Sequence, residues 1–177
     1  MESLGIPGTP IDLKLLDTLT SSYLQTPSEE LESILANFLN REDLYLFTPE
    51  ILPSSCMFQS KFYFLQGLNH SISKMWSVFP EEAKSGIRQI MLQFISLPYD
   101  KKVVSVLNKA FETLTSILKY DLGDIWPTFF EDFYSITSNS PLNSLSFISY
   151  FAESVKNDSS NSITSNRASD MIAICIL

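Results

Sequence analysis

Apolar residues return every three or four positions along most of this chain. The runs are punctuated by proline preceded by a hydroxyl side chain, and that combination restricts the fold to packed α-helices. Thr9-Pro10, Thr26-Pro27 and Ser140-Pro141 each place a capping oxygen before a proline at the first helical position, where the missing N–H is no loss. Thr26 has Glu29 three residues on, the spacing of a capping box. Pro80 precedes Glu81 and Glu82, whose charges suit the positive end of a helix dipole, and Asp124 stands ready to cap a start at Trp126-Pro127.

Each start is followed by a stripe at helical spacing. The stripes run Ile11, Leu15, Leu16, Leu19, Tyr23; then Leu31, Ile34, Leu35, Phe38, Leu39; then Phe58, Phe62, Leu65, Leu68, Ile72, Trp76. Beyond Pro80 come Ala83, Ile87, Ile90, Met91, Phe94 and Ile95, and next Val103, Leu107, Ala110, Phe111, Leu114 and Leu118. Trp126, Phe129, Phe130 and Phe133 form a sixth, and Leu142, Leu145, Ile148, Phe151, Ala152 and Val155 a seventh. A weaker helix is expected over 163–176. The segment 41–55, with Pro49 and Pro53, reads as a short helix and linker, and the Asn/Ser-rich stretch 157–165 as a loop.

Taken in pairs, with first helices beginning near residues 10, 58, 100 and 141, the stripes recur at the roughly 40–47 residues typical of HEAT and armadillo repeats. A lone helical hairpin cannot cover its own apolar face, so successive hairpins must stack. The expected fold is all-α: an α-solenoid, or α-α superhelix, of about four HEAT-like hairpins. Its second helices are then those after Pro27, Pro80 and Pro127.

With 45% hydrophobic and 18% charged residues the chain can bury a core, and five glycines are few for an all-β domain. The net charge is −8 and, apart from Lys101-Lys102, the basic residues are scattered, so no stripe exists to neutralise a phosphate backbone. Nucleic acid is excluded as a partner class, and a protein with a basic face is favoured. Cys56 and Cys175 form neither a disulfide framework nor a metal spacing. The start lacks a secretory signal, and the longest apolar run, 171–177, is far short of the ~20 residues that span a bilayer. A soluble intracellular protein without a membrane anchor is expected. The apolar tail Met171–Leu177 predicts self-association if no further repeat covers it.

Catalysis finds no purchase. His70 is the single histidine, no nucleophile motif accompanies it, and the glycines form no phosphate-cradling loop. Adjacent pairs such as Glu81-Glu82 and Glu131-Asp132 diverge on a helix and make poor acid–base partners. No enzyme, metal or cofactor is expected.

Two segments go beyond generic helix packing. Ser60-Lys61-Phe62-Tyr63-Phe64-Leu65-Gln66, with Trp76, Phe79-Pro80 and Gly86-Ile87-Arg88, resembles the importin-β-type amino-terminal motif in its exportin form. Ile117-Leu118-Lys119, followed by Trp126-Pro127-Thr128-Phe129 and Asp132, is similar to the exportin segment that comes next. The two keep order and spacing over about residues 10–156. The resemblance divides the chain into a tail (1–9), importin-β amino-terminal-like HEAT repeats (10–97), exportin-like HEAT repeats (98–156) and a loop with an incomplete last helix (157–177). Trp76 and Trp126 read as aromatic plugs whose indole N–H reaches water or a free carbonyl. Pro80 and Pro127 read as helix starts, and Gly86 as a point of close helix approach. Departures are Leu122-Gly123, where the family often carries another Trp-Pro, and Gly67 within a helix, at ~1 kcal/mol relative to Ala.

The resemblance implies a part of a nuclear export receptor. In that family the amino-terminal repeats clasp GTP-bound Ran on the concave side lined by second helices, and GTP belongs to that partner. Cargo and nuclear-pore proteins would bind parts of the family fold outside this chain, and the protein would shuttle between nucleus and cytoplasm. Expected contact residues, on faces opposite the core stripes of the assigned second helices, are Glu32, Lys84, Arg88, Gln89, Glu131 and Asp132. The alternative is a HEAT-repeat scaffold, or a truncated or degenerate copy, that no longer binds Ran.

Overall fold

Eight α-helices and three short 3-10 helices make up about three quarters of the described residues of the computed structural model, which are 2–98, 103–138 and 140–157. The α-helices are α1 (Leu13–Gln25), α2 (Glu29–Leu39), α3 (Thr48–Ile51), α4 (Phe58–Met75), α5 (Glu81–Ile95), α6 (Val104–Asp121), α7 (Phe129–Thr137) and α8 (Pro141–Asn157). The 3-10 helices are Glu2–Gly5, Leu44–Phe47 and Trp76–Val78. There is no strand among the described residues, only an isolated bridge between Leu122 and Trp126. The expected all-α repeat architecture is the one observed. The expectations for 158–177 (most of the loop, the last helix, the apolar tail, Cys175) and for Lys101-Lys102 lie outside the described residues.

Several starts fall later than the prolines indicate. Asp12, not Thr9, caps α1, accepting from Lys14 N (2.9 Å) and Leu15 N (3.1 Å). A residue before proline avoids the helical region, so Thr9 stays outside the helix, and its hydroxyl donates to Ile6 O (2.6 Å). Ser28 caps α2 through Leu31 N (3.2 Å) while Thr26 closes α1, so the Thr26–Glu29 box does not form. Helix α7 begins at Phe129 with Thr128 as its N-cap rather than at Trp126-Pro127 with Asp124. The intervening turn depends on Gly123, whose φ of 97° strains any residue with a Cβ. Pro80 and Pro141 stand where expected.

Helices α1 and α2 pair as expected, but the later helices pair one step out of phase with the spacing. Segment 41–55 is not a linker. Its short helices bury Leu44, Thr48, Ile51 and Leu52 and pack on α4 and α5, so together they serve as a first helix. The hairpins are therefore α1–α2, Leu44–Ile51 with α4, α5–α6, and α7–α8, with second helices α2, α4, α6 and α8 packed side by side. The other layer holds the short helices, α5 and α7, with α1 leaning on α2 and α4. Spacing alone cannot tell which of two neighbours a helix pairs with, and one unrecognised short helix shifts the frame.

Helices α4 and α6 share the largest interface and sit at the centre, each with buried residues on more than one face. Gly67 lies where α4 meets the end of α2. A Cβ there would fall 2.5 Å from Leu44 Cδ1 and 3.2 Å from Leu39 Cα, so this glycine is the close-approach point. At Gly86 a Cβ would meet nothing within 4 Å, which corrects the expectation placed on it. The seventh stripe is rotated as well. Leu142 and Leu145 are exposed, while Phe151 is buried as expected and Phe147 joins it, in an aromatic cluster with Phe111, Phe129 and Phe133. The cause is capping: Asn143 Nδ2 donates to the carbonyls of Ile95 (2.9 Å) and Leu97 (2.7 Å) at the end of α5, which sets the rotation of α8. Phe58, at the first position of α4, is also exposed.

Candidate partner-binding surface

The motif residues are largely committed to joints between repeats. Lys61 is buried on α4, and its Nζ donates to the carbonyls of Leu52 (2.8 Å) and Ser54 (2.7 Å), tying the proline segment to the helix. Burial lowers its pKa, against the Cys56 and Asp17 side chains, which act to raise it. The neighbouring Ser60 donates to Asp17 Oδ1, which also accepts from Met57 N (2.9 Å), so α1 caps the start of α4. Leu65 is fully buried and Gln66 is exposed.

Trp76 and Trp126 occupy corresponding turns, after α4 and α6, and Arg88 of α5 lies between them, 5.9 Å from one ring centroid and 5.7 Å from the other. Asp121, at the end of α6, closes the arrangement. It accepts from Trp76 Nε1 (2.8 Å) and from Arg88 Nε (2.8 Å), with Arg88 Nη2 at 2.7 Å. Arg88 Nη1 reaches Glu81 at 2.8 Å. Trp126 donates to Asp132 (2.9 Å), which also accepts from Thr128. Both indoles thus bond to carboxylates rather than to water or carbonyls, as a buried N–H requires a firm acceptor. Pro127 lies in the same turn, and Pro80 precedes α5.

A second buried charge pair anchors the amino-terminal segment. Arg41 is 1% exposed and donates to Asp43 (2.9 and 2.8 Å), Leu4 O (2.9 Å) and Thr9 O (2.8 Å). Gly8 N adds a bond to Asp43 (2.7 Å). Burial alone would raise the Asp43 pKa, but Arg41 and the Gly8 N–H outweigh it and hold the carboxyl below its usual range.

The contact candidates separate accordingly. Arg88 is 9% exposed and paired, and Asp132 is bonded within its own turn, so both act first in the joints. Lys84 lies over Trp76 and 3.8 Å from Glu81. Gln89 and Glu131 are exposed, but on α5 and α7, which the observed pairing makes first helices. Glu32 alone stays exposed on a second helix. Asp121, Asp17 and Asn143 escaped the sequence reading; Asp121's only signal was its place between Lys119 and Trp126. His70 is exposed on α4. Cys56 is a buried thiol whose pKa burial pushes up. Among the described residues no group of three or more His, Cys, Asp or Glu could hold a metal, and no helix is long and apolar enough to cross a membrane.

Stacked hairpins with such joints define an all-α helical-repeat protein. The chain is similar to exportin 1 along most of its length. It is 25% identical over 169 residues to exportin-1 of Drosophila melanogaster, which covers 89% of this chain and 16% of the fly protein. It is 28% identical over 137 residues to exportin-1 of Schizosaccharomyces pombe (73% and 13%) and 24% identical over 185 residues to protein EXPORTIN 1A of Arabidopsis thaliana (96% and 17%). The chain is an exportin-1-like segment that spans 13–17% of the length of these curated relatives. No protein-family profile matches it.

Proposed function

We propose that this chain serves as the amino-terminal portion of a nuclear export receptor and contributes to binding GTP-bound Ran. The observation that carries the reading is the likeness to exportin 1 across most of the chain in fly, fission yeast and plant proteins. In that family second helices line the side that clasps Ran, and here those helices are α2, α4, α6 and α8. The contact surface is accordingly assigned to Glu32 of α2 and to Gln66, His70 and Lys74 of α4, all exposed. Lys84, Gln89 and Glu131 remain the competing assignment on the other layer. GTP is brought by Ran, and binding is linked to cargo affinity across the whole receptor. Cargo and pore contacts are assigned to regions that the matches do not cover, and the receptor shuttles between nucleus and cytoplasm.

The test is a pull-down with Ran locked in its GTP-bound or GDP-bound form. GTP-dependent capture is expected to weaken with Gln66→Lys and His70→Glu and to persist with Gln89→Lys and Glu131→Lys. The opposite pattern would return the contact to α5 and α7. Capture blind to the nucleotide, or none at all, would leave a HEAT-like scaffold whose likeness to exportins records ancestry alone.

A further inference from the structure

An open cleft of about 530 Å³ lies between the amino-terminal segment, the 3-10 helix Leu44–Phe47 and the turn after α4. It is lined by Pro7, Asn40, Glu42, Asp43, Tyr45, Met75, Val78 and Phe79. None of the joints needs this cleft: Asp43 faces Arg41, while Glu42 beside it is exposed and forms no ion pair among the described residues. Tyr45 stacks on Phe79 with ring centroids 4.2 Å apart, and Phe79 in turn meets Trp76 edge-on at 5.7 Å. Those contacts make Tyr45 a braced aromatic surface beside a free carboxylate.

Apolar groups complete its lining. Val78 is 73% exposed, and Pro7 and Met75 add to the apolar surface. An aromatic face with one unpaired carboxylate and an apolar rim is complementary to a guanidinium flanked by aliphatic side chains. The guanidinium stacks on Tyr45 and pairs with Glu42 while its neighbours cover Val78 and Met75. Arginine suits this better than lysine, because its planar, weakly hydrated head can stack and bond at once.

We propose that this cleft is a docking site for a short extended peptide carrying an arginine between aliphatic residues. The cleft shares no lining residue with the face of α4 assigned to Ran and does not depend on that assignment.

The probe is acetyl-Gly-Leu-Arg-Leu-Gly-amide, titrated into the 15N-labelled 177-residue chain, with counterparts carrying glutamine or glutamate in place of arginine. Saturable amide shifts are expected at residues 5–8, 40–46 and 75–79 with the arginine peptide, and weaker binding with the glutamine one. Glu42→Lys, an exposed change, is expected to weaken the arginine peptide about tenfold and to bring in the glutamate peptide. Val78→Ser is expected to weaken every peptide without altering the spectrum elsewhere. Shifts that map outside the cleft, equal binding of the arginine and glutamine peptides, or indifference to both variants would each overturn the proposal.

Discussion

Replacing Asp121 with asparagine tests the central joint most directly. The change keeps the size of the side chain and leaves an oxygen to accept the Trp76 indole N–H at its present 2.8 Å. What it removes is the negative charge facing Arg88, which is 9% exposed and has Asp121 as its buried partner. Removing one member of a buried ion pair typically costs about 3–5 kcal/mol, because the remaining charge is left without compensation. Here Glu81 still reaches Arg88 at 2.8 Å, though from a side chain 64% exposed, and the two indole rings still flank the guanidinium. The lower end, about 3 kcal/mol, is therefore expected. In a chain of this size that lowers Tm by roughly 6–12 °C. The assay is urea unfolding followed by tryptophan emission, since both tryptophans of the chain stand in this joint. The control Glu81→Gln touches an exposed partner and should cost at most about 1 kcal/mol. A loss below about 1 kcal/mol for Asp121→Asn, or a loss matched by the control, would refute the claim that this pair locks the repeats.

Two further perturbations follow from the same packing. Gly67→Ala should destabilise by about 1–3 kcal/mol because its Cβ is driven into Leu44 and the Leu39 backbone, whereas Gly86→Ala, with open space and a helical backbone, should stabilise by about 0.5–1 kcal/mol. Denaturant midpoints of the two variants that moved in the same direction would contradict this. Asp43 predicts a pH dependence. Its folded pKa is lowered, so the stability it contributes is complete above about pH 4, the unfolded value, and is lost as pH falls through the folded one. Protection of the amides at residues 4–9, taken relative to the intrinsic exchange rate at each pH, should therefore fall in acid in the wild type, and Asp43→Asn should show that lowered protection already at neutral pH.

How far the sequence spoke depends on the kind of feature. Stripes such as Leu31, Ile34, Leu35 and Phe38, or Ile87, Met91, Phe94 and Ile95, declared both their helices and their buried faces, because an amphipathic period is a local property that packing reads directly. Lys61 and the two tryptophans were marked by a family motif, yet nothing local said that Lys61 would bind two carbonyls or that Trp76 would donate to a carboxylate 45 residues away. The contact candidates on α5 and α7 follow from a pairing of helices read from spacing alone. That pairing failed on one segment, 41–55, whose prolines masked a first helix built from two short turns.

That the chain is helical, that it repeats, which residues line most of its core, and that it resembles exportins are all legible in the amino-acid order. Periodicity, capping chemistry and motif order all reside in neighbouring residues, so they needed no third dimension. Packing between distant segments sets which helices share a hairpin, and hence which layer each exposed side chain faces. It also decided that Gly67 rather than Gly86 is the tight contact, that Asn143 sets the rotation of α8, and that Arg88 belongs to a joint instead of a surface. Those outcomes depend on distances between residues far apart in the chain, where several arrangements satisfy the same local pattern and only close packing with paired buried charges selects one.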